Sequence, residues 1–332
     1  MKKLSIFIAL SAIVFSGCKQ DDEFSGPDLN NLYGGFSIVQ DLDISNRNVD
    51  FSSGESTYFT ATFSKNVEWN IEIKGLTSGA IRNIEGFSDN LNNVNALWNG
   101  TTSILPMFKG EDCAVEVTFL NQTDTLRDTL TVVAGRVNQG FLLSDFENGF
   151  PANWLTFIQS GANMSFNIQT SDLSAQGTHY YDMGGDVNWD WLKGYVYIPA
   201  SAYGVQAFPL NSNPANVYFN TFYYKVPTLN NALILFQFCE DDNEDGTFNA
   251  NNEDMYSIQV TPTAAGWSQL SVNYADLAAL VNGAPSTPAG NGVKEPHKLM
   301  QVNILHLANP TSGYAQSYID YLIFTENGPL IP

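Results

Sequence analysis

Apolar and polar side chains alternate with a period of two between residues 36 and 137. Three runs carry the pattern most clearly, with apolar positions at Phe59, Ala61 and Phe63, at Val67, Trp69, Ile71 and Ile73, and at Cys113, Val115, Val117 and Phe119. Alternation places the apolar residues of a strand on one side, so each strand would have one buried and one solvated face. Short strands of this kind predict an antiparallel sandwich of the immunoglobulin type over residues 36–137.

The alternation stops between Gly135 and Gly140 and returns from Phe141 in longer, more aromatic runs. The segment Ala232–Cys239 is nearly all apolar, which is typical of a strand covered on both faces. One short helix is expected near Tyr274–Val281, ahead of an Asn-Gly turn. The other patterned segments of residues 141–332 predict strands. Together they indicate a β-jelly roll made of two sheets packed face to face.

The first residues have the pattern of an export signal. Lys2 and Lys3 precede the apolar stretch Leu4–Phe15, which is too short to span a bilayer, and Ser16-Gly17 supplies small residues for cleavage. Together with Cys18, this segment resembles the bacterial lipobox, which implies a signal peptide over residues 1–17 and lipidation of Cys18. The alternative is an ordinary secretory signal in which this cysteine has no role.

Residues 18–35 are predicted to be a flexible tether, because they contain few side chains that could be buried. The acidic run that follows Cys18 resembles the signal that sends Bacteroidetes lipoproteins to the outer cell surface. We therefore expect a protein that is lipid-anchored in the outer membrane and faces the medium.

Charge narrows the range of ligands. The 332 residues include 34 acidic and 14 basic side chains, which gives a formal net charge of -20. This excess of acids argues against nucleic acids, anionic membrane surfaces and sulfated polymers, because each of these carries negative charge. Only 14% of residues are charged and 13% are aromatic, a composition that suits a neutral, hydroxylated ligand.

The second domain resembles the galactose-binding-like jelly rolls found as carbohydrate-binding modules. Asp145–Phe150 followed by Trp154 resembles their opening strand, Tyr318–Phe324 their closing strand, and Gly266-Trp267 also fits. The layout of tether, Ig-like domain and jelly roll resembles surface glycan-binding lipoproteins of Bacteroidetes, in the SusE/SusF-like position beside an importer of the SusC/SusD type. The resemblance implies a polysaccharide ligand and an importer complex as partners; a laminarin-type β-glucan is the first expectation and mannan the second.

The sharpest local motif begins at Asp241. Asp241, Asn243 and Asp245 occupy alternate positions ahead of Gly246, as in the opening of a calcium loop, where oxygens at these places converge on a hard cation. The twelfth position is Asn252, so Glu253 is the nearest candidate for the remaining carboxylate. We predict a structural Ca²⁺ between two strands; the alternative is an acidic, solvated hairpin tip.

A second candidate calcium site is implied by the jelly-roll resemblance. In those modules one acid on the opening strand and one on the closing strand hold a structural ion, and the matching residues here are Glu147 and Asp320. The alternative is a pair of surface carboxylates.

Sugar binding requires flat apolar faces beside hydrogen-bonding groups. Trp189 and Trp191 supply two indoles within three residues, and Asn188 and Asp190 adjoin them. Trp189 is expected to be exposed, whereas Trp191 could equally pack in the core. Further aromatic candidates are Tyr180, Tyr181 and Tyr203, while Trp154 and Trp267 are assigned to the core. The segment Ala96–Thr101 resembles the Trp-Asn/Asp-Gly corner of bacterial Ig-like modules, which implies that Trp98 packs at a corner of the first domain.

Catalysis is not expected from the motifs. The chain has no Gly-x-Ser-x-Gly elbow, no His-Glu-x-x-His and only three histidines, of which His306 alternates with apolar residues and is expected in the core. Glycoside hydrolases need two facing carboxylates, and sequence spacing cannot show such a pair. An enzyme with an unrecognised site and an adhesive surface protein both remain as alternatives. Cys113 and Cys239 are expected to be buried free thiols rather than a disulfide.

Overall fold

The computed structural model describes residues 34–188, 192–227, 232–281, 284–308 and 313–332. Regular secondary structure in these ranges consists of strands and short 3-10 turns, so the predicted all-β fold is confirmed. No helix within these ranges is both long and apolar enough to cross a bilayer.

The first domain is a sheet structure built around one very long strand. Its strands are β1 (Ile38–Ile44), β2 (Asn48–Asp50), β3 (Thr57–Gly75), β4 (Ile81–Leu91), β5 (Leu97–Trp98), β6 (Glu111–Phe119) and β7 (Thr125–Ala134). The strand order is β1-β3-β6-β7-β2, and β4 and β5 also pair with β3. The alternating residues predicted to face inward form its hydrophobic core. The immunoglobulin-like arrangement itself stays a prediction.

Trp98 packs at a corner of this core, as predicted. Its side chain is fully buried, and its Nε1 donates a hydrogen bond of 2.9 Å to the carbonyl oxygen of Thr101. Phe51 and Phe108 both contact the indole in a T-shaped arrangement. Gly100 has a φ of +85° and lies against the ring of Phe51, so the turn requires glycine.

The second domain consists of two antiparallel sheets packed face to face. One sheet has six strands, in the order β10-β11-β20-β13-β16 with β8 added to β20; the other has five, in the order β15-β14-β19-β12-β9. The bounds are β8 (Phe141–Ser144), β9 (Leu155–Ile158), β10 (Asn163–Thr170), β11 (His179–Val187), β12 (Leu192–Pro199), β13 (Val217–Lys225), β14 (Ala232–Glu240), β15 (Met255–Val260), β16 (Gly266–Asn273), β17 (Leu280–Val281), β18 (Ala284–Pro285), β19 (Leu299–Ala308) and β20 (Gly313–Glu326). Strands β17 and β18 pair only with each other.

The core between the two sheets is aromatic and aliphatic. Trp154 lies in it at 5% exposure, as predicted, and the fully buried His306 also matches its assignment to the core. Cys113 and Cys239 are both buried and unpaired, which confirms the prediction of free thiols.

The helix expected near Tyr274–Val281 does not form. A three-residue 3-10 turn covers Tyr274–Asp276, and the chain is extended from Leu277. The reason is a competing backbone pairing: Ser257 and Ala278 exchange two hydrogen bonds, of 2.7 and 3.2 Å. These bonds hold the segment beside β15, so its amide groups are unavailable for a helix.

The two domains touch through the segment between β5 and β6. The backbone N–H of Met107 donates to the carbonyl oxygen of Ala175 at 2.8 Å, and Met107 packs against Phe222 and Ile323 of the jelly roll. Lys109 also forms an ion pair of 3.1 Å with Asp172. The first domain therefore contributes to the outer face of the six-stranded sheet.

Candidate functional site

The outer face of the five-stranded sheet presents two cross-strand rows of side chains, which we call the outer rows. The strand register aligns Leu155, Tyr197, Asn303, Gln237 and Ser257 in the first row, and Phe157, Tyr195, Leu305, Leu235 and Gln259 in the second. The residues between them along the strands, such as Val196, Ile304 and Phe236, point into the core. Because side chains alternate across a strand, both rows lie on the side away from the core.

Aromatic rings occupy one end of the outer rows. Phe157 is 41% exposed, and its ring stacks on that of Tyr195 with centroids 4.9 Å apart and an interplanar angle of 28°. Tyr195 and Tyr197 are half-buried, so part of each ring remains open to solvent. Burial raises the pKa of Tyr197, which is therefore a neutral hydroxyl donor at physiological pH.

Amide side chains continue the rows beyond the aromatics. The Nε2 of Gln301 donates to the Oδ1 of Asn303 at 2.7 Å, and the Nδ2 of Asn303 donates to the Oε1 of Gln237 at 3.3 Å. Gln301 and Asn303 are only 8% and 7% exposed although they lie on an outer face. Such an ordered chain of amides has donors and acceptors in fixed positions on this face of the sheet.

A wall runs along the β15 side of the outer rows. Ala278 pairs with Ser257 on β15, and Leu280 of β17 packs on Leu233, Leu235 and Leu307 of the sheet. These contacts explain why Leu233, Leu235 and Leu307 are almost fully buried although they lie on the outer face. The open part of the face is thus the half that carries Phe157, Tyr195 and Tyr197.

A second aromatic group lies on the outer face of the six-stranded sheet, and we call it the junction cluster. It consists of Tyr180, Tyr224, Trp267 and Tyr318. Each ring contacts two others, with centroid distances between 4.7 and 5.7 Å. Leu105 and Pro106 of the first domain complete a groove of about 300 Å³ around it. Much of the surface of these four rings is covered by contacts with one another and with residues at the domain junction.

The junction cluster adjoins a buried carboxylate. Asp182 is 6% exposed and accepts hydrogen bonds from Gln169 at 3.1 Å and from Gln316 at 2.8 Å. The pKa of Tyr318 is raised to about 12, mainly by burial and to a smaller extent by the nearby Tyr180 and Asp182. The phenol groups around Asp182 therefore stay protonated.

The predicted sugar-binding residues fall in different places. Trp189, Asp190 and Trp191 lie outside the described residues, while Asn188, immediately before them, is exposed. Tyr180 is half-buried in the junction cluster. The next strand residue after the tryptophan pair is Leu192, at the start of β12, two residues before Gly194 and three before Tyr195.

Three other aromatic side chains are already engaged within the protein. Tyr181 is fully buried against Phe146 and Phe150, so its prediction as a sugar-binding residue is wrong; alternation along β11 turns it inward while Tyr180 faces out. Tyr203 is also occupied, because its hydroxyl donates to the carbonyl oxygen of Leu143 at 2.7 Å. Trp267 is half-buried in the junction cluster rather than in the core, since its side chain lines the groove.

The predicted calcium loop connects β14 to β15. Asp241, Asp245 and Glu253 each place one carboxylate oxygen within 4.8 Å of the others. Glu253 is 1% exposed, and its Oε1 has no hydrogen-bond partner among the described residues. Asn243 is exposed, and its Oδ1 accepts a bond of 2.8 Å from the N–H of Asp245. The donor set of hard oxygens fits Ca²⁺.

Glu147 and Asp320 both accept hydrogen bonds from one short segment. Glu147 accepts from the N–H groups of Thr178 and His179 at 2.8 and 2.7 Å, and Asp320 accepts from Gln176 at 2.8 Å. Asp320 is fully buried, and its Oδ1 has no partner among the described residues. Burial, then the neighbouring Glu147, raises the pKa of Asp320 well above its usual value. An unpaired buried carboxylate oxygen is a suitable ligand for a cation.

The most promising surface residues were missed from the sequence. Phe157, Tyr195, Tyr197, Gln237 and Asn303 come from four strands that are far apart in the chain. A signal was present in the alternation of β12, where Tyr195 and Tyr197 flank Val196 and must face opposite to it. The sequence does not say which strands are neighbours, so it could not assemble the rows.

No family model matches the chain, and no curated protein matches it significantly. Solved structures similar to it include a family 11 carbohydrate-binding module from Clostridium thermocellum in complex with a β-1,3-1,4-mixed-linked tetrasaccharide. That module is 17% identical, with a TM-score of 0.39, and the match covers 59% of this chain and 100% of the module. The surface glycan-binding protein SGBP-B, from a complex xyloglucan utilization locus in Bacteroides uniformis, is 11% identical with a TM-score of 0.33, over 88% of this chain and 73% of that one. At such values the similarities do not decide what this chain binds.

Proposed function

We propose that this chain is a cell-surface lipoprotein that binds a neutral polysaccharide on the outer rows of its five-stranded sheet. The observation that carries the proposal is the alignment of partly open aromatic rings with an ordered chain of amides on a single sheet face. A sugar ring has an apolar face of C–H groups and a rim of hydroxyls, so it needs these two kinds of group side by side.

Each part of the outer rows has a distinct task in this proposal. Tyr195, Tyr197 and Phe157 would cover the apolar faces of successive sugar rings. Gln237 and Asn303 would bond their hydroxyls, and Trp189 and Trp191, which directly precede β12 in the sequence, would extend the surface at its end. None of the residues that make up the outer rows is a carboxylate, so binding rather than hydrolysis is the expected chemistry of this face.

The wider role in this proposal rests on the N-terminal sequence and on the family resemblance. Lipidation at Cys18 would hold the protein in the outer membrane, and the first domain would keep the binding face away from the lipid. A SusC/SusD-type importer would then receive the captured glycan. Laminarin-type β-glucan is the first candidate ligand and mannan the second. The net charge of -20 disfavours acidic polymers, and the choice among neutral glycans rests on the family resemblance.

Structural calcium belongs to the same proposal. Asp241, Asn243, Asp245 and Glu253 would hold one ion, and Glu147 with Asp320 another. Both would stabilise the fold, because an ion that binds only the native state shifts the unfolding equilibrium.

Affinity gel electrophoresis tests the proposal. The wild-type chain and the Tyr195→Ala/Tyr197→Ala variant are run in gels that contain laminarin, mannan or an acidic glycan. We expect one neutral glycan to retard the wild type and not the variant. Tyr314→Ala is the matched control, because Tyr314 is 44% exposed on the other sheet. Equal retardation of wild type and double variant would refute binding on the outer rows.

The other functions have their own signatures in this experiment. If no glycan in the panel retards the wild type, an adhesive role replaces the proposal. Release of reducing ends during incubation would indicate a glycoside hydrolase instead.

A further inference from the structure

The loop between β14 and β15 contains more carboxylates than the predicted calcium site uses. Glu240, Asp242 and Asp254 form a second trio, in which one oxygen of each residue lies within 4.8 Å of the others. This second trio shares no residue with the first, made of Asp241, Asp245 and Glu253.

The alternation of side chains explains why the carboxylates separate into two trios. β14 ends at Glu240, and if the chain keeps its extended alternation for the next two residues, Asp242 lies on the side of Glu240 and Asp241 on the other. Glu253 and Asp254, which directly precede β15, are divided between the two trios in the same way. A hairpin base with consecutive acids on both strands therefore creates two carboxylate groups rather than one.

The second trio is enclosed by protein. Glu240 and Asp254 are both fully buried. The loop that precedes β19 closes over them, because the N–H groups of Gly290 and Gly292 each donate a bond of 2.7 Å to Asp254. A Cβ at Gly290 would collide with the carboxylate of Asp242, so only glycine permits this close approach.

One buried oxygen of Glu240 in the second trio is left without a partner. The Oε1 of Glu240 accepts bonds from the Tyr274 hydroxyl at 2.7 Å and from the N–H of Glu295 at 2.8 Å. Its Oε2 is buried and has no hydrogen-bond partner among the described residues, and the same holds for the Oδ1 of Asp242. Unpaired buried carboxylate oxygens are costly unless a cation or a proton satisfies them.

We propose that Glu240, Asp242 and Asp254 bind a second divalent cation, Ca²⁺, beside the one predicted in the Asp241 loop. Ca²⁺ is favoured because all the available ligands are hard oxygens in a cluster of irregular loops. The ion would join the end of β14 to the start of β15, and Asp254 would connect it to the glycine loop at residues 290–292 through the bonds from Gly290 and Gly292. It would therefore fix the segment that leads from the wall over the outer rows into β19.

The competing explanation is a proton on Glu240. The pKa of this carboxyl is raised to about 8, mainly by burial and to a smaller extent by the charges of Asp242 and Asp254. A protonated Glu240 would remove one charge without any ion. The substitution Glu240→Gln separates the two explanations, because Gln mimics the protonated acid. It should remove a bound ion if Glu240 is a ligand, and it should change no ion binding if Glu240 carries a proton.

Calcium counting by equilibrium dialysis of the full chain with CaCl₂ alone separates them. We expect Glu240→Gln to bind one equivalent of calcium fewer than the wild type, and Asp242→Asn, at a partly exposed position, to do the same. Asp245→Asn should remove a different equivalent, so the double variant Glu240→Gln/Asp245→Asn should lack two. Glu244→Gln is the control, because Glu244 lies in the same loop at 74% side-chain exposure and belongs to neither trio.

The proposal is overturned if Glu240→Gln and Asp242→Asn both keep the wild-type calcium count, which would leave the proton as the explanation. A wild type that binds no calcium would overturn it as well. Should Glu240→Gln fail to fold, as judged by circular dichroism, the Asp242→Asn count decides. The outcome does not depend on glycan binding, which is measured separately.

Discussion

Phe157 on β9 and Tyr195 on β12 stack with their ring centroids 4.9 Å apart, directly opposite each other in the strand register. Phe157 has no other aromatic contact among the described residues, so one edge of the sheet ends in an open ring. This pair gives the outer rows a flat apolar end next to the amide chain.

Tyr195→Ala should weaken glycan binding, because it removes the middle ring of the aromatic end. A pair of aromatic rings contributes about 0.5–1.5 kcal/mol beyond its buried area, and a ring–sugar contact of the same strength corresponds to a change in Kd of about 2- to 12-fold. Tyr195→Phe keeps the ring and should lose much less. Isothermal titration with the retarding glycan measures both, and equal losses in the two variants would contradict a stacking role.

Trp267→Ala should lower stability without changing glycan binding. The Nε1 of Trp267 donates a hydrogen bond of 2.7 Å to the carbonyl oxygen of Leu173, and the ring packs in the junction cluster. Loss of both should cost roughly 1–3 kcal/mol. Thermal melting followed by affinity electrophoresis checks this pair of expectations. A stable variant that no longer binds glycan would move the site to the junction cluster.

Removal of calcium should lower the melting temperature by several degrees. An ion that binds the native state alone contributes about 2.7 kcal/mol at a concentration 100 times its Kd. Differential scanning calorimetry with CaCl₂ and with EGTA measures the shift. Identical melts under the two conditions would count against all of the proposed calcium sites together.

Lys193→Met should raise stability most at neutral and lower pH. Lys193 is fully buried, its Nζ has no hydrogen-bond partner among the described residues, and burial lowers its pKa to about 7. In the unfolded chain the pKa of Lys193 has its ordinary value of about 10.4. Between about pH 7 and about pH 10.4, Lys193 therefore carries a proton in the unfolded chain and none in the folded chain. Wild-type stability should therefore rise as the pH increases through this window.

The comparison of melting temperatures at about pH 6.5 and about pH 9.5 tests this linkage. The advantage of Lys193→Met should be larger at the lower pH, where the wild type must bury a charge, and should shrink at the higher one. Both melts are made in excess CaCl₂, so that calcium occupancy does not change between them. A constant advantage at both values would mean that Lys193 is not buried as a titrating group.

Glycine at position 290 should be essential for the loop that covers the second trio. Gly290→Ala would place a methyl group against the carboxylate of Asp242, so we expect a lower melting temperature in CaCl₂. Gly292→Ala serves as a comparison, because a methyl group there would meet no atom within 4 Å. It still carries backbone strain, because the φ of +73° at this position is unfavourable for any residue other than glycine. If Gly290→Ala melts like the wild type, the loop does not close tightly over the trio.

The sequence by itself determined the class of structure and much of what is buried. Alternation in runs such as Val67–Ile73 fixed the inward faces of the first domain, because a strand places successive side chains on opposite sides. The free thiols Cys113 and Cys239 followed from the same pattern, whereas the corner role of Trp98 followed from the resemblance of Ala96–Thr101 to a known turn motif. The carboxylates of the Asp241 loop were also visible, because their ligand oxygens come from neighbouring positions in one hairpin.

Only the tertiary structure decided which strands lie side by side, and therefore which surface can bind. Tyr195 and Asn303 are separated by more than a hundred residues in the chain, but they belong to paired strands of one sheet. Trp267 was misplaced for the same reason: it lines a groove whose other side includes Leu105 and Pro106 of the first domain, residues that are distant from it in the chain. The period of a strand gives the two faces of each element, whereas long-range pairing, which no local pattern encodes, joins those faces into a site.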